Sequence, residues 1–202
     1  MSELKPMLVA TRNAHKTEEI ASMLDGKYVV SDLNGSEFPP VEETGTTFLE
    51  NATLKAVEIS KRVQGVILSD DSGLEVDALG GRPGVWSSSF GGEEGNHAKN
   101  NAKLMAEMEK LEGGVSRSAR FRCVMVLAKD GSVLASFDGA VEGSIIESQR
   151  GDGGFGYDPL FIPEGYEETF AELGNEVKNT MSHRGRALAK VVEFLENKGE
   201  VE

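Results

Sequence analysis

The strongest constraint on the fold is the passage from an uninterrupted apolar run, Met7-Leu8-Val9-Ala10, through the polar loop Thr11-Arg12-Asn13-Ala14-His15-Lys16 into helical periodicity over about Lys16 to Leu24, closed by Gly26. An apolar run without polar alternates reads as a buried strand, and a glycine past the last periodic residue reads as a helix stop. A second short strand, Tyr28-Val29-Val30, follows. Strand, helix and strand in succession predict a parallel pair, because parallel neighbours need a crossover. Farther along, Ala119 to Ala128 alternates, with Phe121, Cys123, Met125 and Leu127 on one face, and Asp130-Gly131 turns the chain into Val133 to Phe137. That is a hairpin signal, since glycine accepts positive φ. Parallel units joined to an antiparallel hairpin predict an α/β fold with a mixed β-sheet flanked by helices.

The remaining segments fit this scheme. Residues 34–45 read as a loop carrying Pro39, Pro40 and Glu42-Glu43-Thr44-Gly45. Thr47-Phe48-Leu49-Glu50 has capping-box spacing, and Phe48, Ala52, Ala56, Ile59 and Val63 recur at helical intervals as a core face. Asn51, Lys55, Glu58 and Arg62 fall on the opposite face, where Glu50, Asn51 and Lys55 are available to a cleft. Gly80-Gly81-Arg82-Pro83-Gly84 breaks regular structure before Trp86 and Phe90, and a helix is expected over about Asn96 to Leu111. Val141 to Ile146 extends the sheet. A glycine-rich loop, residues 151–159, leads into the short strand Leu160-Phe161-Ile162, and a last helix starts near Ser182 with Leu188, Val191, Val192 and Leu195 inward. Asn197 to Glu202 reads as a frayed tail.

At 202 residues and 39% hydrophobic content the chain is long enough for one substantial core, and residues 1–202 are read as a single domain. The formal net charge of -13 repels nucleic acid polymers over most of the surface. A small anion would need a local pocket of cations, amides or metal. No apolar stretch approaches the ~20 residues of a membrane helix, and the start of the chain lacks the apolar core of a signal peptide. A cytoplasmic protein is expected. Cys123 is the only cysteine, so no internal disulfide forms, and its place in an apolar run reads as a core residue.

Chemistry concentrates in a few places. Asp70-Asp71-Ser72-Gly73 follows Val66-Ile67-Leu68 and reads as an acidic turn at the mouth of a buried strand. Adjacent like charges are unfavourable unless a cation or a proton relieves them, and hard oxygen ligands suit magnesium. A solvated turn of ordinary loop residues is the other reading. Thr11, Asn13 and Lys16 lie between a strand and a helix, where amides, helix dipole and ammonium favour an anion. The same loop serves equally as a capped helix start. No Walker signature is present. In the glycine-rich loop, Phe155 offers an aromatic face to a base or fills core. Lys178 precedes Ser182-His183-Arg184, where Ser182 reads as a helix N-cap and His183 and Arg184 set cations in the first turn against the dipole, which a ligand would relieve; an exposed pair decorating the surface is the other reading.

Taken together, Thr11-x-Asn13-x-x-Lys16, Glu42-Glu43-Thr44-Gly45, Ser69-Asp70-Asp71-Ser72-Gly73-Leu74, Gly80-Gly81-x-Pro83-Gly84, Gly153-Gly154-Phe155-Gly156-Tyr157-Asp158-Pro159 and Ser182-His183-Arg184 stand in the order and spacing of one family. The sequence closely resembles the inosine triphosphate pyrophosphatase family, the XTP/dITP diphosphatases, over about Leu8 to Leu195. The resemblance implies an elongated mixed sheet in two lobes with a central cleft, a homodimer, and magnesium-dependent hydrolysis of ITP, dITP and XTP to the monophosphate and pyrophosphate. It implies Asp71 as the catalytic carboxylate that orients or deprotonates water, and Glu42 with Asp71 as metal ligands, Asp70 close by. Thr11, Arg12, Asn13, Ala14, His15 and Lys16 would cradle the triphosphate, helped by Ser72 and Lys178. Phe155, Gly156, Tyr157, Asp158, His183 and Arg184 would enclose the base, with Arg184 or a backbone amide donating to its six-oxo group. Ser87-Ser88-Ser89-Phe90 departs from the pattern, because Ser89 stands where many bacterial members carry arginine. A hydrolase of different base preference and a catalytically silent nucleotide-binding protein are the competing readings.

Overall fold

The computed structural model describes residues 4–111 and 114–197. The tail reading for 198–202 lies outside the described residues. Six strands form one sheet in the order β2-β1-β3-β4-β5-β6. β1 (Lys5–Val9) pairs in parallel with β2 (Tyr28–Ser31) and with β3 (Ile67–Val76), while β5 (Ser132–Ile145) pairs antiparallel with β6 (Phe161–Pro163). The mixed sheet is therefore as expected. β4 (Ser118–Lys129) reaches β5 through Asp130-Gly131, both at positive φ, 51° and 79°. The expected pair of strands after this turn is one continuous strand.

The crossovers are helical. α1 (Ala14–Met23) joins β1 to β2, beginning two residues earlier than its periodicity suggests because Asn13 caps it, accepting from the amides of His15 and Lys16. α2 (Phe48–Ser60) leads to β3 and opens with a complete capping box between Thr47 and Glu50. α3 (His97–Glu109) is capped by Asn96. α4 (Asn175–Met181), which no periodicity announced, runs up to Ser182, and α5 (His183–Asn197) follows.

Two further readings change. Asp70-Asp71-Ser72-Gly73 is not a turn but the middle of β3, a ten-residue strand. Turn-forming residues sit in extended backbone because tertiary partners, described below, hold the carboxylates there. Gly73 is needed there for space rather than for positive φ, since a Cβ would collide with the Gly84 carbonyl and the Ser87 hydroxyl. Second, the alternation of β4 holds only to Cys123; from there to Ala128 both faces are buried.

The chain divides into two compact units. The first takes in residues up to Asp71, Cys123–Gly139 and those from Arg184 on. Its core packs Met7, Val9, Ile20 and Leu68 with Met125, Leu127, Leu188 and Val191, and a neighbouring cluster holds Leu33, Ile59 and Ile67. The second unit comprises Ser72–Arg122 and Ala140–His183, with Leu74, Leu104, Phe121, Tyr157, Phe161 and Phe170 in its core. Thr47→Ala removes the side-chain acceptor of the capping box and should lower stability by about 1 kcal/mol, read as a lower urea midpoint with an unchanged slope.

Candidate active site

In the first unit, chemistry gathers around β3. Asp70 is 0% exposed. Its Oδ2 lies 3.1 Å from Lys16 Nζ and accepts from Arg184 Nη2 and Nε at 3.2 and 3.4 Å. The third guanidinium nitrogen of Arg184, Nη1, donates to Glu19 on α1. Burial alone would push the Asp70 carboxyl up, but Lys16 and Arg184 overcome this and hold it well below the usual carboxylate range. Burial pulls the Lys16 ammonium down and Asp70 reverses that, leaving it raised. Asp70 Oδ1 is buried without a hydrogen bond among the described residues. The Cys123 thiol, 4.0 Å from Asp70 Oδ2, is pushed up to about 12 by burial and by that carboxylate, which makes it an inert core thiol.

Asp71, the next residue, has different surroundings. It is 8% exposed and accepts a 3.2 Å hydrogen bond from Asn51 Nδ2. Burial raises its carboxyl, opposed by Lys55 and Lys16 and assisted by Glu43 and Asp70. Two adjacent carboxylates are thus driven in opposite directions, and the raised one is the better base near neutral pH. The Asn51 side chain also accepts from the Gly45 amide at 2.8 Å, and Lys55 Nζ pairs with Glu43 at 3.0 Å. These bonds lash the 42–45 loop to α2. A Cβ at Gly45 would lie 2.6 Å from Asn51 Oδ1, so only glycine fits this approach.

The loop after β1 is largely self-satisfied. Thr11 Oγ1 accepts from the Asn13 amide at 3.1 Å, and Asn13 caps α1, whose first residue is Ala14. Arg12 turns away to bond the carbonyls of Leu33 and Phe38, pinning the following loop. His15 Nδ1 lies 3.7 Å from Glu19. Glu42 is exposed, and it is Glu43 that enters the electrostatics of Asp71. Glu19 had gone unremarked in the sequence; its spacing three residues after Lys16 and four after His15 puts all three on one helix face. Asn51 and Lys55 are buried rather than open.

In the second unit the glycine-rich loop has its own anchor. Asp158 is buried, and its Oδ2 accepts from the Phe155 amide and from Lys178 Nζ, each at 2.6 Å. Tyr157 is buried, its hydroxyl donating to the Ser87 carbonyl at 2.8 Å, and burial pushes that hydroxyl up. The Gly156 carbonyl accepts from Asn101 at 3.1 Å. Phe155 is half-buried with its ring near His97, Ser72 is half-buried on β3, and the buried His183 ring stacks on Phe121 at 5.1 Å.

The same fold is seen in solved Ham1 proteins. One from Coxiella burnetii superposes with a TM-score of 0.86 at 36% identity, covering 96% of this chain and all of that one. One from Staphylococcus aureus gives 0.83 at 35%, with the same coverage. The family model of the Ham1 family matches residues 7–194, and the chain belongs to that family. Among curated relatives, a Bacillus licheniformis protein named dITP/XTP pyrophosphatase is 45% identical over 195 residues, 96% of this chain and 99% of its own length. A Geobacter sulfurreducens protein of the same name is 47% identical over 192 residues, 94% and 96% of the two chains. The resemblance read from the ordered motifs is borne out.

Replacing Asp70 by Asn leaves two buried cations short of a counter-charge and should cost about 3–5 kcal/mol. Because the native carboxyl titrates below its unfolded value near 3.9, its contribution is full above that pH and is lost as pH falls further. Melting curves at pH 7 and pH 3 should therefore show a larger acid-induced drop for the natural protein than for Asp70→Asn.

Proposed function

We infer that this chain hydrolyses non-standard purine nucleoside triphosphates, ITP, dITP and XTP, to the nucleoside monophosphate and pyrophosphate. The observation that carries the reading is Asp71, a buried carboxylate with a raised pKa, fixed by Asn51 beside the Asp70, Lys16 and Arg184 cluster. Phosphoryl chemistry asks little covalent work of a protein, so positioning and charge dominate. Asp71 orients the attacking water and takes its proton. Lys16, on the first turn of α1, faces the phosphates as a point charge.

The donor set fits a magnesium ion. Lys16 and Arg184 are already matched by Asp70 and Glu19, and Lys55 by Glu43, so the group carries no net positive charge and Lys16 offers the phosphates only its local field. A magnesium ion typically takes one or two protein carboxylates and completes its shell with water and substrate phosphates. Asp71, together with an acidic residue of the 42–45 loop, Glu42 by resemblance, would hold it. When bound it neutralises phosphate oxygens and acidifies water.

Selection of the base is assigned to the glycine-rich loop, where Phe155 supplies an aromatic ring. An oxygen at position six accepts from a donor, whereas the amino group of adenine opposes it, and such mismatches reject a substrate by ~10⁴. The protein is further read as a cytoplasmic homodimer without nucleic acid or membrane partners; the net charge of -13 supports the former exclusion, and Trp86, 60% exposed, is available to a protein partner.

Asp71→Asn should lower kcat by about 10²–10³ without unfolding the chain, measured as pyrophosphate release from ITP with magnesium, whereas Lys16→Ala should lower kcat by a similar factor and also lower the melting temperature, because it strips a counter-charge from buried Asp70. Near-normal turnover of Asp71→Asn would remove the catalytic assignment. Across a panel of triphosphates scored for pyrophosphate and orthophosphate, ITP and XTP should release pyrophosphate far faster than ATP; equal rates would refute the pocket chemistry.

A further inference from the structure

Asn51 lies on α2, 3% exposed, with both ends of its side chain committed. Its Nδ2 donates to Asp71 Oδ2 at 3.2 Å, and its Oδ1 accepts from the Gly45 amide at 2.8 Å. The polarity is forced, because a carboxylate oxygen calls for a donor and a backbone N–H for an acceptor, so turning the amide over would lose both bonds at once. A planar group held at both ends is a strut of fixed length. Its neighbours on α2 hold the same stretch of chain: Lys55, one turn on, pairs with Glu43 at 3.0 Å, and Glu50 accepts from the amides of Thr46 and Thr47 at 2.7 and 3.1 Å. Asn51 extends that hold to Asp71, and all of these residues belong to the first unit. Gly45 leaves no slack, since a Cβ there would lie 2.6 Å from Asn51 Oδ1 and from the Glu50 Cβ.

We propose that Asn51 is a positioning residue for the reaction: its single amide sets the carboxylate of Asp71 against the 42–45 loop, so that the base and the acidic loop keep one spacing. This rests on the reading of Asp71 as the base. A carboxylate turns about its side-chain torsions, and the bond from Asn51 restricts that turning before substrate arrives. The gain lies in the geometry of attack and therefore appears in kcat.

The test measures kcat and KM for ITP at saturating magnesium, and hydrogen exchange at the Gly45 amide, in the natural protein, Asn51→Ala, Asn51→Asp, Thr47→Ala, Asp71→Asn and the double variant of Asn51→Ala with Asp71→Asn. Partners that orient a reacting group are worth about 10–100-fold. Asn51→Ala should lower kcat by that factor, leave KM unchanged and expose the Gly45 amide to exchange. Asn51→Asp, nearly the same shape, keeps an acceptor for Gly45 but sets a second carboxylate against Asp71, so kcat should fall while the amide stays protected. Thr47→Ala weakens the start of α2 without removing either side-chain bond of Asn51 and should keep kcat. Beside Asp71→Asn, the Asn51→Ala step should cost nothing further, because the residue acts through Asp71. The proposal is overturned if Asn51→Ala or Asn51→Asp keeps the natural kcat, if the loss falls on KM, if it persists in full beside Asp71→Asn, or if Thr47→Ala loses as much; the reading of Asp71 then still stands. If Asp71→Asn itself keeps near-normal kcat, that reading fails and the inference with it.

Discussion

The first unit depends on one buried carboxylate. Asp70 is fully enclosed and gathers Lys16 from the start of α1 and Arg184 from the start of α5, with Glu19 closing the group. Three segments far apart in sequence thus meet at one carboxylate oxygen on β3, Oδ2 of Asp70. Burying such charges is unfavourable unless all are matched, so the arrangement stands or falls together. Apolar packing of equal volume is often as stabilising as such a buried ion cluster, or more so. What the cluster supplies is definition: the strand is pinned at the residue before Asp71, the proposed base.

That pinning explains how neighbouring aspartates acquire unlike characters. Alternation along a strand sends Asp70 and Asp71 to opposite faces. Asp70 turns into the cation pair and is held ionised; Asp71 faces Asn51, Lys55 and the acidic 42–45 loop, where burial and like charges outweigh its cations. Two carboxylates of opposite tendency are therefore built from one dipeptide, the arrangement on which the proposed role of Asp71 as base rests. The second unit repeats the device at smaller scale, with Lys178 and Asp158 as a buried pair that also fixes the amide of Phe155.

Much of this was legible beforehand. The apolar run Met7–Ala10, the capping box at Thr47 and the Asp130-Gly131 turn are local signals, decided by backbone preferences within a few residues, and each element formed where they indicated. The ordered motifs carried the family. Less visible were α4, too short to show a period, and the strand character of residues 70–73, whose local preferences favour a turn. The full burial of β4 beyond Cys123 was also hidden, because coverage of a second face depends on elements distant in sequence.

By itself, then, the amino-acid order determined the class of fold, the family and the residue types available for phosphate and base chemistry. Only the tertiary structure decided their allegiances: that Arg184 bonds Asp70 and Glu19, that Arg12 serves the 33–38 loop, that Glu43 bears on Asp71, and that His97 meets Phe155. The reason is physical. Propensity and periodicity act over one or two turns of chain, whereas Coulomb forces in a buried, low-dielectric site act between whichever groups the packing brings within a few ångströms.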